Sequence, residues 1–126
     1  MKDNRDIWVA TEFSRHPGGR FKKDGPANGE LFRKKFLVDP LRRGDTVVVH
    51  MDGARGYGSS FLEEAFGGLV RREGLSREVV LDLLRIDATN SSLRMEIKEY
   101  IEKARPENVE ATGQGTVNNS LTYVRA

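Results

Sequence analysis

The chain has 126 residues, of which 37% are hydrophobic and 32% are charged, and it contains no cysteine. This length and balance are typical of one globular domain with a heavily charged surface. The absence of cysteine excludes disulfides, thiolate metal ligands and a cysteine nucleophile. No apolar run approaches the roughly 18 residues of a membrane helix, and the charged first residues do not lead into a signal peptide. We therefore expect a cytoplasmic protein without a membrane partner.

The charge is unevenly distributed along the chain. Residues 1–44 carry 11 Lys and Arg against 6 Asp and Glu, whereas residues 45–126 carry 10 against 13. A basic first half can attract phosphate or an acidic partner surface, or it can be an ordinary solvated face. Both interpretations stay open at this point.

The first third of the sequence predicts a strand, a long loop and a helix. Residues 6–10 are short and β-rich and predict the opening strand. Residues 14–29 contain four glycines and two prolines, which predict a loop. A helix is expected from about Glu30, capped by Asn28 or Gly29, and Asp39–Pro40 is expected to end or bend it.

The middle of the sequence predicts a strand, a glycine-rich turn and a second helix. Residues 46–51 form a continuous apolar run, which predicts a central strand covered on both faces. Residues 52–58 predict the turn, and Ser60 and Glu63 fit a capping box at the start of the helix. Gly67–Gly68 weaken that helix, so we expect its backbone to approach a neighbouring strand closely in compensation.

The last third predicts a helix, a strand and a longer amphipathic helix. Residues 76–86 are expected to form a short helix that passes into a strand at Leu83–Ile86. Asn90 is expected to cap the amphipathic helix, and Arg105–Pro106 to end it. Residues 106–126 are a polar C-terminal tail, expected to be loose or to add an edge strand. The alternation of strands and helices predicts an α/β protein.

The usual catalytic and cofactor signatures are missing from the sequence. The residues around Ser60 lack the second glycine of a Gly-x-Ser-x-Gly elbow, and the two histidines, His16 and His50, have no metal-ligand spacing. Neither a phosphate-binding loop nor a dinucleotide fingerprint is present. We therefore expect a protein that is not an enzyme, with no catalytic residues, no metal and no cofactor.

The pair Ser59–Ser60 follows the predicted strand and glycine turn at the beginning of a predicted helix. Backbone amides converge there and the helix dipole is positive, so an anion is favoured. A phosphate on Ser60 would add roughly two negative charges and be held by those amides. Ser60 is also a good N-cap residue, and the spacing by itself favours this ordinary capping role; the two roles are compatible in the unmodified protein.

Several segments resemble the bacterial STAS-like domains of unknown function. The resemblance is strongest over residues 46–69, which include Gly-Tyr-Gly-Ser-Ser-Phe-Leu-Glu-Glu-Ala-Phe-Gly-Gly-Leu from Gly56 onward. Pro17–Phe21, Asp24–Pro26 and Gly29–Arg33 also resemble that family, and the resemblance extends over residues 5–105. It implies one STAS-like domain with a small mixed β-sheet and helices packed mainly on one side.

That family is itself similar to the STAS domains of anti-sigma-factor antagonists. In those domains an Asp-Ser-Ser-Gly turn at the start of a helix carries a serine that a partner anti-sigma kinase phosphorylates. Ser59 and Ser60 match the two serines, with Ser60 at the phosphoacceptor position, whereas Gly58 and Phe61 replace the Asp and the Gly. The resemblance implies a regulatory protein-interaction module whose partner is an anti-sigma-type ATPase or kinase.

Two further groups of residues complete the expected site. A partner-binding surface is expected around the serine turn, formed by Tyr57, Gly58, Glu63 and Glu64. The basic residues of the long loop are anion-binding candidates: Arg15, Arg20, Lys22 and Lys23. They support an alternative function, a phosphate-, nucleotide- or nucleic-acid-binding module, although the chain has no recognisable nucleic-acid module and we do not expect nucleic acid as the partner.

Overall fold

A computed structural model describes residues 2–107 of the chain. It contains three strands, β1 (Asn4–Trp8), β2 (Thr46–His50) and β3 (Leu84–Asp87), which lie side by side in that order. Both pairings are parallel, because a helical connection returns the chain to the same end of the sheet before each new strand. The α/β class is confirmed, but the described sheet is wholly parallel and not mixed in direction as expected.

Two helical segments that contain a π turn, two uninterrupted helices and two short helical turns complete the described fold. Residues 29–43 are helical throughout, and so are residues 59–71; each contains one π-helical turn. The first segment consists of α1 (Gly29–Phe32), a π turn (Arg33–Leu37) and α2 (Val38–Arg43), and the second consists of α3 (Ser59–Leu62), a π turn (Glu63–Gly67) and α4 (Gly68–Arg71). The other helices are α5 (Arg77–Leu83) and α6 (Ser91–Lys103), and two short turns precede the first segment, a π turn (Val9–Phe13) and a 3-10 turn (Lys22–Asp24).

Several predicted helix boundaries are confirmed by their caps. The side chain of Asn28 accepts a hydrogen bond from the amide of Leu31 at 2.9 Å, and the side chain of Asn90 caps α6 in the same manner. Of the two effects expected of Asp39–Pro40, ending the first helix is wrong, because helical residues continue to Arg43. Pro40 therefore lies inside a continuous helical segment, shortly after the π turn that ends at Leu37, and it has no amide hydrogen to donate there.

The helices cover one face of the sheet. Along β2 the side chains of Val47 and Val49 are buried, whereas Val48 and His50 on the other face are only half-buried. Within residues 2–107, the strand is therefore covered by helices on one face and only half-buried on the other, and not covered on both faces as predicted. An apolar residue, Val48, on the half-open face gave the sequence the continuous hydrophobic run of a fully buried strand. The expectation that the helices pack mainly on one side is confirmed.

A cluster of aromatic rings joins the helical segment 29–43 to the helical segment 59–71. The ring centroid of Phe32 lies 5.1 Å from that of Phe13, 5.9 Å from that of Phe61 and 6.2 Å from that of Phe66. Gly29 permits the close approach, since a Cβ atom there would lie 2.6 Å from the carbonyl oxygen of Phe61. This junction fixes the first helix and the loop before it against the helix that begins with Ser59.

No helix in residues 2–107 is long and apolar enough to cross a membrane. The predicted tail, residues 106–126, lies almost wholly outside the described residues, as does the edge strand expected within it.

Candidate functional site

The serine pair lies where the loop after β2 turns into the helical segment 59–71. The hydroxyl of Tyr57 donates a hydrogen bond to the carbonyl oxygen of Met51 at 2.6 Å and so holds the end of this loop against the end of the strand. Gly58 is the N-cap residue, and the helix begins at Ser59. Ser59 is exposed and Ser60 is half-buried. The loop thus presents one serine to solvent and the next at the margin of the core.

The capping box predicted for Ser60 and Glu63 does not form. Ser60 is the second residue of the helix, and no side chain caps this end. The carboxylate of Glu63 is instead drawn to the guanidinium groups of Arg20 and Arg71. Because these charge-assisted contacts are stronger than a bond to a backbone amide, they decide where Glu63 points.

The long loop folds back on the start of the first helix. The amide of Gly29 donates to the carbonyl of Gly19 at 3.0 Å, and the amide of Glu30 donates to that of Arg20 at 3.1 Å. Gly19 has a φ of +83°, a left-handed conformation that favours glycine. The loop is therefore a specific backbone structure that carries the Arg20 side chain to the second helix.

This loop and the serine turn meet in a shallow pocket of about 400 Å³. Its lining includes Ser60 together with Gly19, Arg20, Phe21, Lys23 and Asp24. The structure thus brings together residues from two groups that the sequence had suggested separately, a phosphoacceptor candidate and anion-binding candidates. It does not unite all of the basic residues, because Lys22 lines a different shallow pocket and Arg15 lines neither of the two.

A cluster of charged side chains lies beneath this pocket, and sequence reasoning missed it. We call it the arginine–glutamate cluster. It comprises Arg20, Arg33, Arg71, Arg72, Glu63 and Glu64.

Glu64 is the centre of this cluster. Its carboxylate is 0% exposed and accepts hydrogen bonds from Arg72 at 2.6 Å, Arg33 at 2.9 Å, Arg71 at 3.0 Å and Arg20 at 3.2 Å. Burial alone would raise the pKa of Glu64, but the hydrogen bonds and charges of these arginines outweigh it and hold that pKa below its ordinary value. The carboxylate is therefore ionised and fully used inside the domain.

The expectation that Glu64 binds a partner is wrong for this reason. A carboxylate that is completely buried and shared by four guanidinium groups cannot reach another molecule. The sequence did carry a signal: Glu64 follows Phe61 by three residues, so it falls on the apolar face of its helix, and Arg33 likewise falls among buried neighbours. Charged residues at such positions are buried only when they are paired.

Close neighbours in the charged cluster also explain the two glycines of the helical segment 59–71, Arg33 at Gly68 and Glu63 at Gly67. A Cβ atom on Gly68 would lie 2.3 Å from a guanidinium nitrogen of Arg33, and one on Gly67 would lie 2.9 Å from a carboxylate oxygen of Glu63. The close neighbour predicted for Gly67–Gly68 therefore exists, but it is this charged cluster and the carbonyl of Tyr100 rather than a strand.

A second constellation lies on the face of the sheet that the helices leave open. The ring nitrogens of His50 are 2.9 Å from a carboxylate oxygen of Asp6 and 2.7 Å from one of Asp87, and its ring stacks on Trp8 with centroids 4.2 Å apart. Hydrogen bonds to Asp6, and then to Asp87, raise the pKa of His50 above its ordinary value. His50, on β2, thus contacts side chains of both neighbouring strands, β1 and β3, on the half-open face of the sheet.

Residues 2–107 contain no group of three or more His, Asp or Glu side chains arranged to hold a metal ion. His16, the other imidazole, is exposed in the long loop.

A family model described as a STAS-like domain of unknown function (DUF4325) matches residues 28–93. The chain belongs to this family. The matched span contains the serine turn and the arginine–glutamate cluster except Arg20. No curated protein and no solved structure matches the chain.

Proposed function

We propose that this STAS-like domain is a non-enzymatic regulatory module that binds a protein partner through the surface around its serine turn. Phosphorylation of Ser60, with Ser59 as the second acceptor, controls the binding. The partner is a protein kinase or ATPase of the anti-sigma type. The proposal rests on one observation above all: Ser60, the second serine of a pair at the start of a helix, shares a shallow surface pocket with two cationic side chains, Arg20 and Lys23.

The surroundings of the serine pair suit an added phosphate. Ser59 is exposed, so a kinase can reach this turn without unfolding the domain. A phosphate on Ser60 would add roughly two negative charges in the first turn of a helix, where the dipole and free amides favour an anion. Lys23 and Arg20 line the same pocket and supply positive charge on its other side.

Arg20 links this pocket to the interior. Its guanidinium is about one-third exposed and contacts both Glu63 and Glu64. A phosphate on Ser60 would compete with these carboxylates for the same guanidinium, because arginine binds phosphate strongly and in a defined geometry. Modification of one serine would therefore change both the charge of the surface and the partners of Arg20 and Glu63.

The partner surface that follows from this arrangement differs from the one expected from sequence. Gly58 and Ser59 are exposed, Tyr57 and Glu63 are partly buried at the rim, and Glu64 is excluded. Leu31, a large apolar side chain that is 44% exposed, lies with Lys22 and Lys34 beside a neighbouring shallow pocket. An exposed leucine among lysines, next to the serine turn, extends the surface that we assign to the partner.

The test begins with the protein purified from its own cells and mapped for phosphorylation by mass spectrometry. Proteins that co-purify with the wild-type chain are then expressed and titrated by calorimetry against Ser60→Asp, Ser60→Ala and, as a matched control, Ser91→Asp at the exposed start of α6. We expect Ser60→Asp to weaken partner binding and Ser60→Ala and Ser91→Asp to leave it near the wild-type value. Equal affinities for Ser60→Asp and Ser60→Ala would refute the phosphoserine switch.

The alternative, a phosphate, nucleotide or nucleic-acid-binding module, is tested on the same protein. Arg20 is already paired with two carboxylates, which leaves less free cationic charge in the loop than the sequence suggested. Filter binding of nucleotides and of single-stranded nucleic acid at low salt should show no retention. Retention that is lost with added salt and with Lys22→Glu/Lys23→Glu would favour the alternative over a protein partner.

A further inference from the structure

The outer edge of β3 borders a groove remote in sequence from the serine turn. Within residues 2–107, β3 pairs with β2 and has no strand on its other side. Three successive residues, Leu84, Arg85 and Ile86, line a groove of about 550 Å³. Side chains that follow one another in a strand point to opposite faces, so three in a row can line one groove only along the strand's backbone edge. Such an edge offers amides and carbonyls to an additional strand.

The floor of this groove is apolar and is supplied by three elements. Leu84 and Ile86 come from β3, Ile97 and Ile101 come from α6, and Leu81 comes from the end of α5. The α6 residues are four positions apart, so they lie one turn above the other along the groove. The floor can therefore accept successive apolar side chains from one face of an extended segment.

The borders of the groove are predominantly cationic. Arg85, Arg94 and Lys98 line it, against a single carboxylate from Glu102. The guanidinium of Arg94 is anchored by the carbonyl of Ala88 and that of Arg85 by the carbonyl of Asp82, contacts that position these cations without neutralising them. An occupant with negative charge is favoured by this border.

We propose that the groove binds an extended segment of another protein, with alternating apolar and acidic residues, which adds to β3 as a fourth strand of the sheet. Backbone hydrogen bonds to the edge of β3 would supply affinity, the apolar floor would take every second side chain, and the cations at the borders would select acidic residues. The same charge opposes pairing with a second copy of this chain, because it would bring two sets of arginines together.

This binding surface is separate from the one assigned to the serine turn. No residue that lines the pocket of Ser60 also lines the groove beside β3. The two proposals can therefore fail independently. The domain would have one surface controlled by phosphorylation and a second surface that recognises the sequence of an extended peptide.

The experiment uses the full chain and a short fluorescein-labelled peptide of alternating valine and glutamate, titrated by fluorescence anisotropy and mapped by amide chemical shifts. We expect binding that shifts the amides of residues 84–87 and of one side of α6. The double variant Arg94→Glu/Lys98→Glu should bind about tenfold more weakly. The variant Lys22→Glu/Lys23→Glu, which changes charge equally on the other surface, should bind as the wild type does.

A second peptide separates strand addition from charge attraction. Methylation of alternate backbone nitrogens on the edge that faces β3 removes the hydrogen bonds while leaving the side chains unchanged, and it should abolish binding. The proposal is overturned if the methylated peptide binds as well as the parent, if the parent peptide does not bind, or if the Lys22/Lys23 variant loses as much affinity as the Arg94/Lys98 variant. Dimerisation of the chain through β3, detected by sedimentation, would also overturn it.

Discussion

Arg33 and Glu64 form an ion pair inside the domain, with side chains that are 1% and 0% exposed. One guanidinium nitrogen of Arg33 donates to the carboxylate of Glu64 at 2.9 Å and to the backbone carbonyl of the same residue at 2.6 Å. The pair joins the π turn of the first helical segment to that of the second. Neither charge can return to water while the domain stays folded. The two helical segments can therefore pack in this way only when Arg33 and Glu64 are paired.

Removal of the charge of Glu64 tests this condition. Glu64→Gln removes the carboxylate that four arginines share, while Arg33 keeps its ion pair with Glu73 at 2.9 Å. We therefore expect the free energy of unfolding to fall by about 3 kcal/mol in urea titrations, the lower end of the range for a broken buried pair. Glu99→Gln is the matched control, since Glu99 pairs with Lys103 on the exposed side of α6 and should lose only about 0.3–0.5 kcal/mol. Equal losses for the two variants would contradict the central role of Glu64.

Gly29 tests the close approach of the two helical segments. Alanine is intrinsically better than glycine in a helix by about 1 kcal/mol, so propensity alone predicts that Gly29→Ala stabilises the domain. A Cβ atom there would lie 2.6 Å from the carbonyl oxygen of Phe61, and backbone cannot move aside cheaply. We therefore expect Gly29→Ala to destabilise by about 1–3 kcal/mol.

The control for Gly29 is Gly56→Ala, because a Cβ atom on Gly56 would meet nothing within 4 Å. Its unfolding free energy should stay within about 0.5 kcal/mol of the wild-type value. Thermal unfolding of both variants is the measurement, and a stabilising effect of Gly29→Ala would show that the helices separate readily.

The cap of the second helical segment can be tested at Ser60. Because Gly58 is the N-cap and neither serine caps the helix, Ser60→Ala should change the unfolding free energy by less than about 0.5 kcal/mol. Asn90→Ala removes a side chain that does accept from two α6 amides, at 2.9 and 3.2 Å, and should cost about 1 kcal/mol. A loss of that size at Ser60 would instead indicate that its hydroxyl caps the helix in solution.

His50 makes the stability depend on pH. Only the doubly protonated ring can donate to both Asp6 and Asp87, since each carboxylate is solely an acceptor. The pKa of His50 in the folded state is raised above its ordinary 6.5, so the stabilisation is fully present below that value, provided that the carboxylates remain ionised. It is lost as the pH rises through the raised pKa.

The measurement compares the wild type with His50→Gln in urea titrations between about pH 6 and about pH 9. The difference in unfolding free energy between them should be largest at the acidic end and shrink toward the alkaline end. NMR titration of the ring should show that Asp6→Asn lowers the pKa of His50, whereas Asp39→Asn, on the first helix, leaves it unchanged. A difference in stability that grows with pH would contradict the bridge.

The sequence by itself determined the local structure wherever a short-range signal was sufficient. The caps at Asn28 and Asn90 place helix starts, because the amides they satisfy lie only two or three residues away. The passage of a short helix into a strand near Leu83 is confirmed within one residue. The family was also evident from the motif around Ser59 and Ser60, and the family match confirms it.

The tertiary structure decided what each polar residue does. Glu63 fits a capping box by spacing, but arginines 43 residues before it and 8 residues after it take its carboxylate. The packing of the helices decides which residues meet across the fold, and a pattern of neighbouring residues does not show which residues far apart in the sequence will be in contact. For the same reason only the fold could bury Glu64, leave one face of β2 open around His50, and place Ser60 and Lys23 in a single pocket.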